Sequence, residues 1–286
     1  MLGVVLLLYP YDGTDKSKAF SQSLQFPIWV MLVGAQSSLW AVSAVAVFGW
    51  LRELKIHFVR NWKTLLLSSA LFVLLVWMPY LLAARFLINS PIYLESPLQY
   101  HKAKIVILTA AGTTVALLAG MGLWVVHAAL KDTFKDRASG REQISEFLRL
   151  RAYTQGFLSV AGAINGVATL SAWALHAAMH AYQAHQHQDE PPHLHVLLYG
   201  AYYSVVLALA YAPTHLALNA VGRQICVNVL PVPSERGSWT DWESNRKVLE
   251  QLLQPQLTGK VLLERGGAIW GPFIGSILSL LLGGQK

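Results

Sequence analysis

The feature that most constrains this chain is where its charges are missing. Six intervals, 19–51, 64–84, 105–130, 152–188, 191–222 and 266–285, contain no Asp, Glu, Lys or Arg. A helix rising 1.5 Å per residue needs about 20 apolar residues to cross the ~30 Å hydrocarbon core of a bilayer. The first five intervals are rich in Leu, Val and Ala, and they predict spans at 27–50, 64–86, 105–129, 155–181 and 195–221. The sixth differs, because its apolar part, 268–282, is short and holds Pro272. It reads as a re-entrant, interfacial or packed half-helix, marginal as a sixth membrane segment.

Charged residues make up 13% of the chain, against roughly 25% in an ordinary soluble domain. With 54% apolar residues, disorder is excluded as well, since disordered chains are charged and poor in apolar side chains. Cys226 is the only cysteine, which rules out a disulfide scaffold. The expected class is therefore an all-α, polytopic integral membrane protein. It has five transmembrane helices, a C-terminal amphipathic helix and an apolar half-helix. Three regions follow: an outer N-terminal segment at 1–25, a five-helix membrane domain at 26–222, and a cytoplasmic helical tail at 223–286 that ends in the apolar helix. The apolar opening at 1–8 lacks a basic leader and a small-residue cleavage site, and Pro10 stops it. It reads as a short segment lying on the membrane.

Lys and Arg set the expected orientation, because cytoplasmic loops accumulate them. With five spans, one side receives the 51–63 and 130–154 loops and everything after 222. That side holds 17 of the 22 basic residues, and the other side holds only Lys16, Lys18, Arg85, Lys102 and Lys104. The expected location is the inner (plasma) membrane, with the N-terminus outside and the tail in the cytoplasm. Trp29, Trp50, Trp62, Tyr80 and Tyr182 fall near span ends, where amphipathic rings favour the interface. The net charge of +7 is thus mainly an inner-face property and needs no nucleic acid to explain it.

Two polar segments carry helix-start signals. Ser139-Gly-Arg-Glu142 and Thr240-Asp-Trp-Glu243 both have capping-box spacing, in which a hydroxyl and a carboxylate satisfy free backbone N–H groups. The first predicts a helix over 139–154 running into the fourth span. The second predicts a tail helix with Trp242, Leu249, Leu252 and Leu253 as its apolar stripe, ended by Pro255. Such helices serve as docking surfaces, or lie against the bilayer or the span ends. Pro231-Val-Pro233 is a stiff connector before the tail helix.

Histidines form the most distinctive chemical pattern. His176 and His180 are one helical turn apart, and the following loop adds His185, His187, His193 and His195 with Asp189 and Glu190. Imidazole and carboxylate suit a transition metal such as Zn²⁺, so these six histidines are candidate ligands. The same loop also reads as a neutral solvated hairpin. A haem is the other candidate cofactor: His127 and His215 lie toward the same side of the membrane and could pair as axial ligands. Hydrogen-bonded packing is the alternative for both rings.

A third pattern is a small-residue ridge. Gly267, Gly271, Gly275, Ser279 and Gly283 recur every four residues, a spacing that lets helix backbones approach closely in lipid. They are candidate oligomerisation residues, and docking against the chain's own bundle is the competing use. Shorter runs occur at Gly112, Ala116 and Gly120, and at Gly162 and Gly166. Gln36, Asn165 and Asn219 are amides within spans, His215, Asn219 and Arg223 form a stripe, and no Asp or Glu lies within any span. Acidic coupling groups of ion-driven transport are thus missing from the spans. There is no phosphate-binding glycine loop, nucleophile elbow or His-Glu-x-x-His. The expected function is non-enzymatic: a pore-like effector, channel subunit or accessory subunit, with the bilayer and itself or another membrane protein as partners. Metal or haem binding is the alternative, and solute transport comes third.

Overall fold

The structure is a computed structural model. It describes Lys18 and residues 20–58, 101–133, 140–184, 194–233, 239–253, 267, 269–271 and 273–277. Five helices organise it: α1 (Gln25–Phe58), α2 (His101–Thr133), α3 (Gly140–Ala184), α4 (Leu194–Val229) and α5 (Trp239–Leu253). No strand occurs among the described residues. The first four are long and apolar enough to cross a membrane. They match the predicted spans at 27–50, 105–129, 155–181 and 195–221. The predicted span at 64–86 lies outside the described residues.

The starts and stops follow local chemistry. Pro27 sits in the first turn of α1, where its missing N–H costs no helical bond. α3 begins at Gly140, where the capping box predicts it, and continues without interruption into the predicted span. Its 45 residues reach about 68 Å, more than twice a ~30 Å hydrocarbon core. α4 runs through Pro213 as one helix. A last bond from the Leu230 N–H to the Cys226 carbonyl closes it, and Pro231 and Pro233 then prevent continuation.

α3 is the central helix. Half of its span window is buried, against 28% in each of α1, α2 and α4. Two apolar clusters fix the helix directions. At one end, Trp29 and Val33 of α1 pack with Ile105 and Leu108 of α2 and with Ala174, Leu175 and Ala178 of α3. At the other, Val47 and Leu54 of α1 meet Val126 and Leu130 of α2, Phe147 and Leu150 of α3, and Leu218 and Ile225 of α4. α1, α2 and α4 therefore run one way, and α3 runs against them. Val33 and Leu54, one in each cluster, are about 32 Å apart along α1 at 1.5 Å per residue, which is close to one hydrocarbon thickness.

The outer surface is apolar where a soluble bundle would be charged. Met31, Val42, Val45 and Phe48 on α1, and Leu198, Val205, Leu209 and Leu216 on α4, are exposed. The α4 set recurs at intervals of seven and four, which is a single helix face. Three hydroxyls inside the bundle bond to their own helices. Ser37, Thr154 and Thr169 donate to the carbonyls of Val33, Leu150 and Asn165, four residues back, at 2.8–2.9 Å. Thr214 instead crosses between helices and donates to the Leu123 carbonyl at 2.9 Å.

Two sequence expectations change here. Trp29, expected at the lipid–water interface, is 1% exposed and stacks edge-on to Phe20 at 6.4 Å. Gly112, expected to let helix backbones touch, receives a side chain instead. A Cβ placed there would fall 2.7 Å from the Trp40 ring, so the glycine is a socket for that ring.

Candidate functional site

Two groups of interacting polar side chains lie at the end of the bundle covered by α5. They divide across α3 for a geometric reason. Arg149 and Arg151 are two residues apart, and a helix turns about 100° per residue, so their side chains leave on nearly opposite sides. Arg149 turns toward α1 and Arg151 toward α4 and α5.

On the α1 side, the Arg149 guanidinium donates through Nε to the Tyr153 hydroxyl at 3.0 Å and through Nη2 to Glu53 Oε2 at 3.1 Å. The Tyr153 hydroxyl also donates to the same Glu53 oxygen. Carboxylate, phenol and guanidinium thus tie the end of α1 to the start of α3. Both charged side chains are about half exposed, 44% for Arg149 and 51% for Glu53, so the ion pair itself adds at most ~1 kcal/mol. Its value is in fixing the register of two helices.

On the other side, a polar stripe lies on α4. The Tyr211 hydroxyl is 3.1 Å from His215 Nδ1, and Asn219 Nδ2 is 3.1 Å from His215 Nε2. Tyr211, His215 and Asn219 are spaced four apart, so a single helix face supplies all three. Arg223, the next residue in the predicted stripe, is exposed. Across from the stripe, Arg151 Nη1 donates to the Leu252 carbonyl of α5 at 2.8 Å. Arg151, Tyr211, His215 and Asn219, with Thr154 and Gln155, line a partly open cavity of about 20 Å³. Phe147, Leu218 and Leu253 form its apolar wall.

α5 closes this end. Leu249 and Leu253 are buried in the cluster below it, and the Trp242 indole N–H donates to the Leu230 carbonyl at 3.2 Å. Arg246 lies 4.9 Å from the centre of the Trp242 ring and pairs with Glu250 at 2.8 Å. The predicted stripe is narrower than the sequence implies, because Leu252 is 47% exposed. Leu253→Asp would place a carboxylate in the buried contact, at a cost comparable with or above the ~2–5 kcal/mol of a buried Leu→Ala change. The expected result is that limited proteolysis cuts 239–253 in the variant while the four long helices stay protected. Equal protection of this segment in both proteins would show that Leu253 does not hold α5.

The predicted site residues are placed as follows. His127 and His215 lie on the α2 and α4 segments whose neighbours, Val126 and Leu218, share one cluster. His127 packs edge-on to Trp124 at 6.1 Å, and both nitrogens of His215 face hydrogen-bond partners on its own helix. His176 sits on the α3 segment that packs around Trp29 at the opposite end. The side chains of His180 and His195, and residues His185, His187 and His193, lie outside the described residues. Among the described residues, no group of three or more His, Cys, Asp or Glu is placed to hold a metal ion. Of the small-residue ridge, Gly267 and Gly271 have nothing within 4 Å of a built Cβ, and Gly275 comes 3.9 Å from Leu170 of α3. Ser279 and Gly283 lie outside the described residues.

Arg151, Gln155 and Tyr211 are absent from the sequence-based candidates. Tyr211 was within reach of pattern reading, since it extends the His215–Asn219–Arg223 spacing by one turn. Arg151 and Gln155 were not, because only the packing of α3 against α4 and α5 brings them to that stripe. No protein-family model matches this chain, and no curated protein or solved structure is detectably similar to it.

Proposed function

We propose that this chain is a five-span membrane protein that works by helix–helix assembly, as a pore-like effector, a channel subunit or an accessory subunit of a membrane complex. The observation that carries the reading is the terminal apolar segment. Its described residues are helical, and Gly275 and the buried Ser276 lie toward the bundle. Gly267 and Gly271 face open space, and Trp270 and Ile274 are exposed beside them. One part of the small-residue ridge thus serves internal docking, and the other part remains for a second helix. In lipid, where hydrophobicity gives no drive between helices, such close-approach surfaces supply the association energy.

The direction of the helices supports five spans. α1 and α2 are parallel, so the chain passes from one end of the bundle to the other between Phe58 and His101. If the four long helices cross a bilayer, that return crosses it too, and the predicted span at 64–86 has the required length. The Lys and Arg distribution supports an orientation with the α5 end in the cytoplasm and the start of α1 outside.

Native mass measurement in mild detergent tests the assembly. The wild-type protein is expected above its monomer mass of 31.6 kDa. Gly271→Leu is expected to weaken association about tenfold or more, the scale of losing ~1.4 kcal/mol of packing. Gly275→Leu is expected to act mainly on the contact with Leu170, and so on stability. A strictly monomeric wild type would overturn the proposal.

A further inference from the structure

α1 has an exposed apolar face that ends in cations at one end only. Val42, Val45 and Phe48 are exposed, and the first basic residues beyond them, Arg52 and Lys55, are exposed as well. The geometry points to a site for one anionic phospholipid on this face. Arg52 and Lys55 take its headgroup phosphate, and an acyl chain lies along Phe48, Val45 and Val42.

Helical spacing joins the two parts. Arg52 follows Val45 by seven residues and Phe48 by four, and Lys55 follows Phe48 by seven, so both cations continue the apolar face. They are three residues apart, which brings their Cβ atoms to about 5–6 Å of each other. Two cations at that spacing suit one phosphate. Depth agrees. Leu54, between them, is buried in the cluster at the α5 end. With the hydrocarbon core set between Val33 and Leu54, Arg52 and Lys55 stand at the level where phosphates begin. Long basic side chains there keep their stems on apolar surface and their heads among the headgroups.

Charge selects the lipid. The adjacent acid, Glu53, turns to α3 and accepts from Arg149 and Tyr153. Coulomb attraction acts through charge and position, so it does not require Arg52 or Lys55 to lack other contacts. A zwitterionic headgroup sets a cation beside its phosphate, and a net-negative one does not, so basic residues at the surface favour the second. No Lys or Arg occurs from residue 19 to 51, so the same face offers no such pair in the opposite leaflet. Arg223 also follows an exposed apolar face, but it is the only Lys or Arg of α4.

The site rests on α1 crossing the bilayer, and it is independent of assembly because binding is scored per chain. Native mass spectrometry of the full chain in neutral detergent, titrated with dioleoyl phosphatidylglycerol or dioleoyl phosphatidylcholine, tests it. One phosphatidylglycerol is expected to be retained in preference to phosphatidylcholine, and inorganic phosphate at equal concentration is expected not to displace it. Arg52→Gln and Lys55→Gln are each expected to need about fivefold more phosphatidylglycerol, and Arg52→Lys is expected to stay near wild type. The control is Arg141→Gln, an exposed cation about 13 Å beyond the clustered Leu150 along α3, where no change is expected. A phosphatidylglycerol with a photoactivatable headgroup needs no variant to fold, and it is expected to cross-link within 48–58. Equal retention of the two lipids, an unchanged preference in both glutamine variants, an equal loss in Arg141→Gln, displacement by inorganic phosphate or cross-links only elsewhere would each overturn this site alone. Failure to retain either lipid would overturn the spanning of α1 along with it.

Discussion

Gly122→Leu is expected to unfold the centre of the bundle or to lower its melting temperature by about 10 °C or more. A Cβ built on Gly122 of α2 falls 2.4 Å from the Phe157 ring of α3, well inside any real carbon contact. The ring cannot step aside. Phe157 is 0% exposed and meets Trp50 of α1 edge-to-face, with centroids 5.3 Å apart at 88°. Trp50 in turn rests on Gly156, where a Cβ would come within 2.7 Å of its ring. Glycine, ring, ring, glycine thus form one layer joining α1, α2 and α3.

Leucine would drive four carbons into that layer. Overpacking a tight core typically costs ~1–3 kcal/mol, and more where no neighbour can yield. Glycine's poor helix propensity opposes this by only about 1 kcal/mol. The net loss corresponds to several degrees at ~2–4 °C per kcal/mol for a chain of this size, and to about 10 °C when the backbone has to shift. Gly122→Ala is expected to lose less, because the same propensity gain offsets a smaller clash. Pairing Gly122→Ala with Phe157→Leu should recover part of its loss, giving a coupling above about 0.5 kcal/mol in a thermal-unfolding double-mutant cycle. Wild-type melting in Gly122→Leu would show that α2 and α3 are not packed through this layer.

That layer also marks what the sequence could and could not convey. The spans were legible because exclusion of charge from lipid is a one-dimensional constraint, visible residue by residue. Helix faces were not, because in a membrane both the packed and the lipid-facing sides are apolar, and Leu54 in the core looks no different from Val45 facing outward. For the same reason Gly112 read as a backbone contact, although Trp40, an aromatic partner far away in sequence, occupies the space beside it. The soluble ends were clearer. The start of α3 and the buried pair Leu249 and Leu253 follow from capping and from four-residue spacing against a polar background. The His215–Asn219 pair was visible as a stripe. Its meeting with Arg151 depends on three helices at once, which no spacing encodes.

Single-cysteine labelling of intact cells is expected to give an all-or-none pattern that fixes the parity of the chain. Cys226 is the only native cysteine and is 2% exposed, so its background is low. Four reporter positions suffice: Asn61→Cys, Ser96→Cys, Ser139→Cys and Gln186→Cys. α1, α2 and α4 run toward the α5 end and α3 runs away from it. Asn61 follows the end of α1 and Ser139 precedes the start of α3, so both are expected to report on the α5 end. Ser96 precedes the start of α2 and Gln186 follows the end of α3, so both are expected to report on the other end. An impermeant maleimide is expected to label Ser96→Cys and Gln186→Cys in intact cells, and Asn61→Cys and Ser139→Cys only after permeabilisation. The comparison of Asn61 with Ser96 carries the most information, because it spans the segment between α1 and α2. Labelling of those two from the same side would mean that the chain does not cross between them. α1 and α2 would then have to be antiparallel, against the placement of Trp40 on Gly112 and of Val33 beside Leu108. Reversal of all four positions would leave the five crossings intact and overturn only the orientation drawn from the Lys and Arg bias.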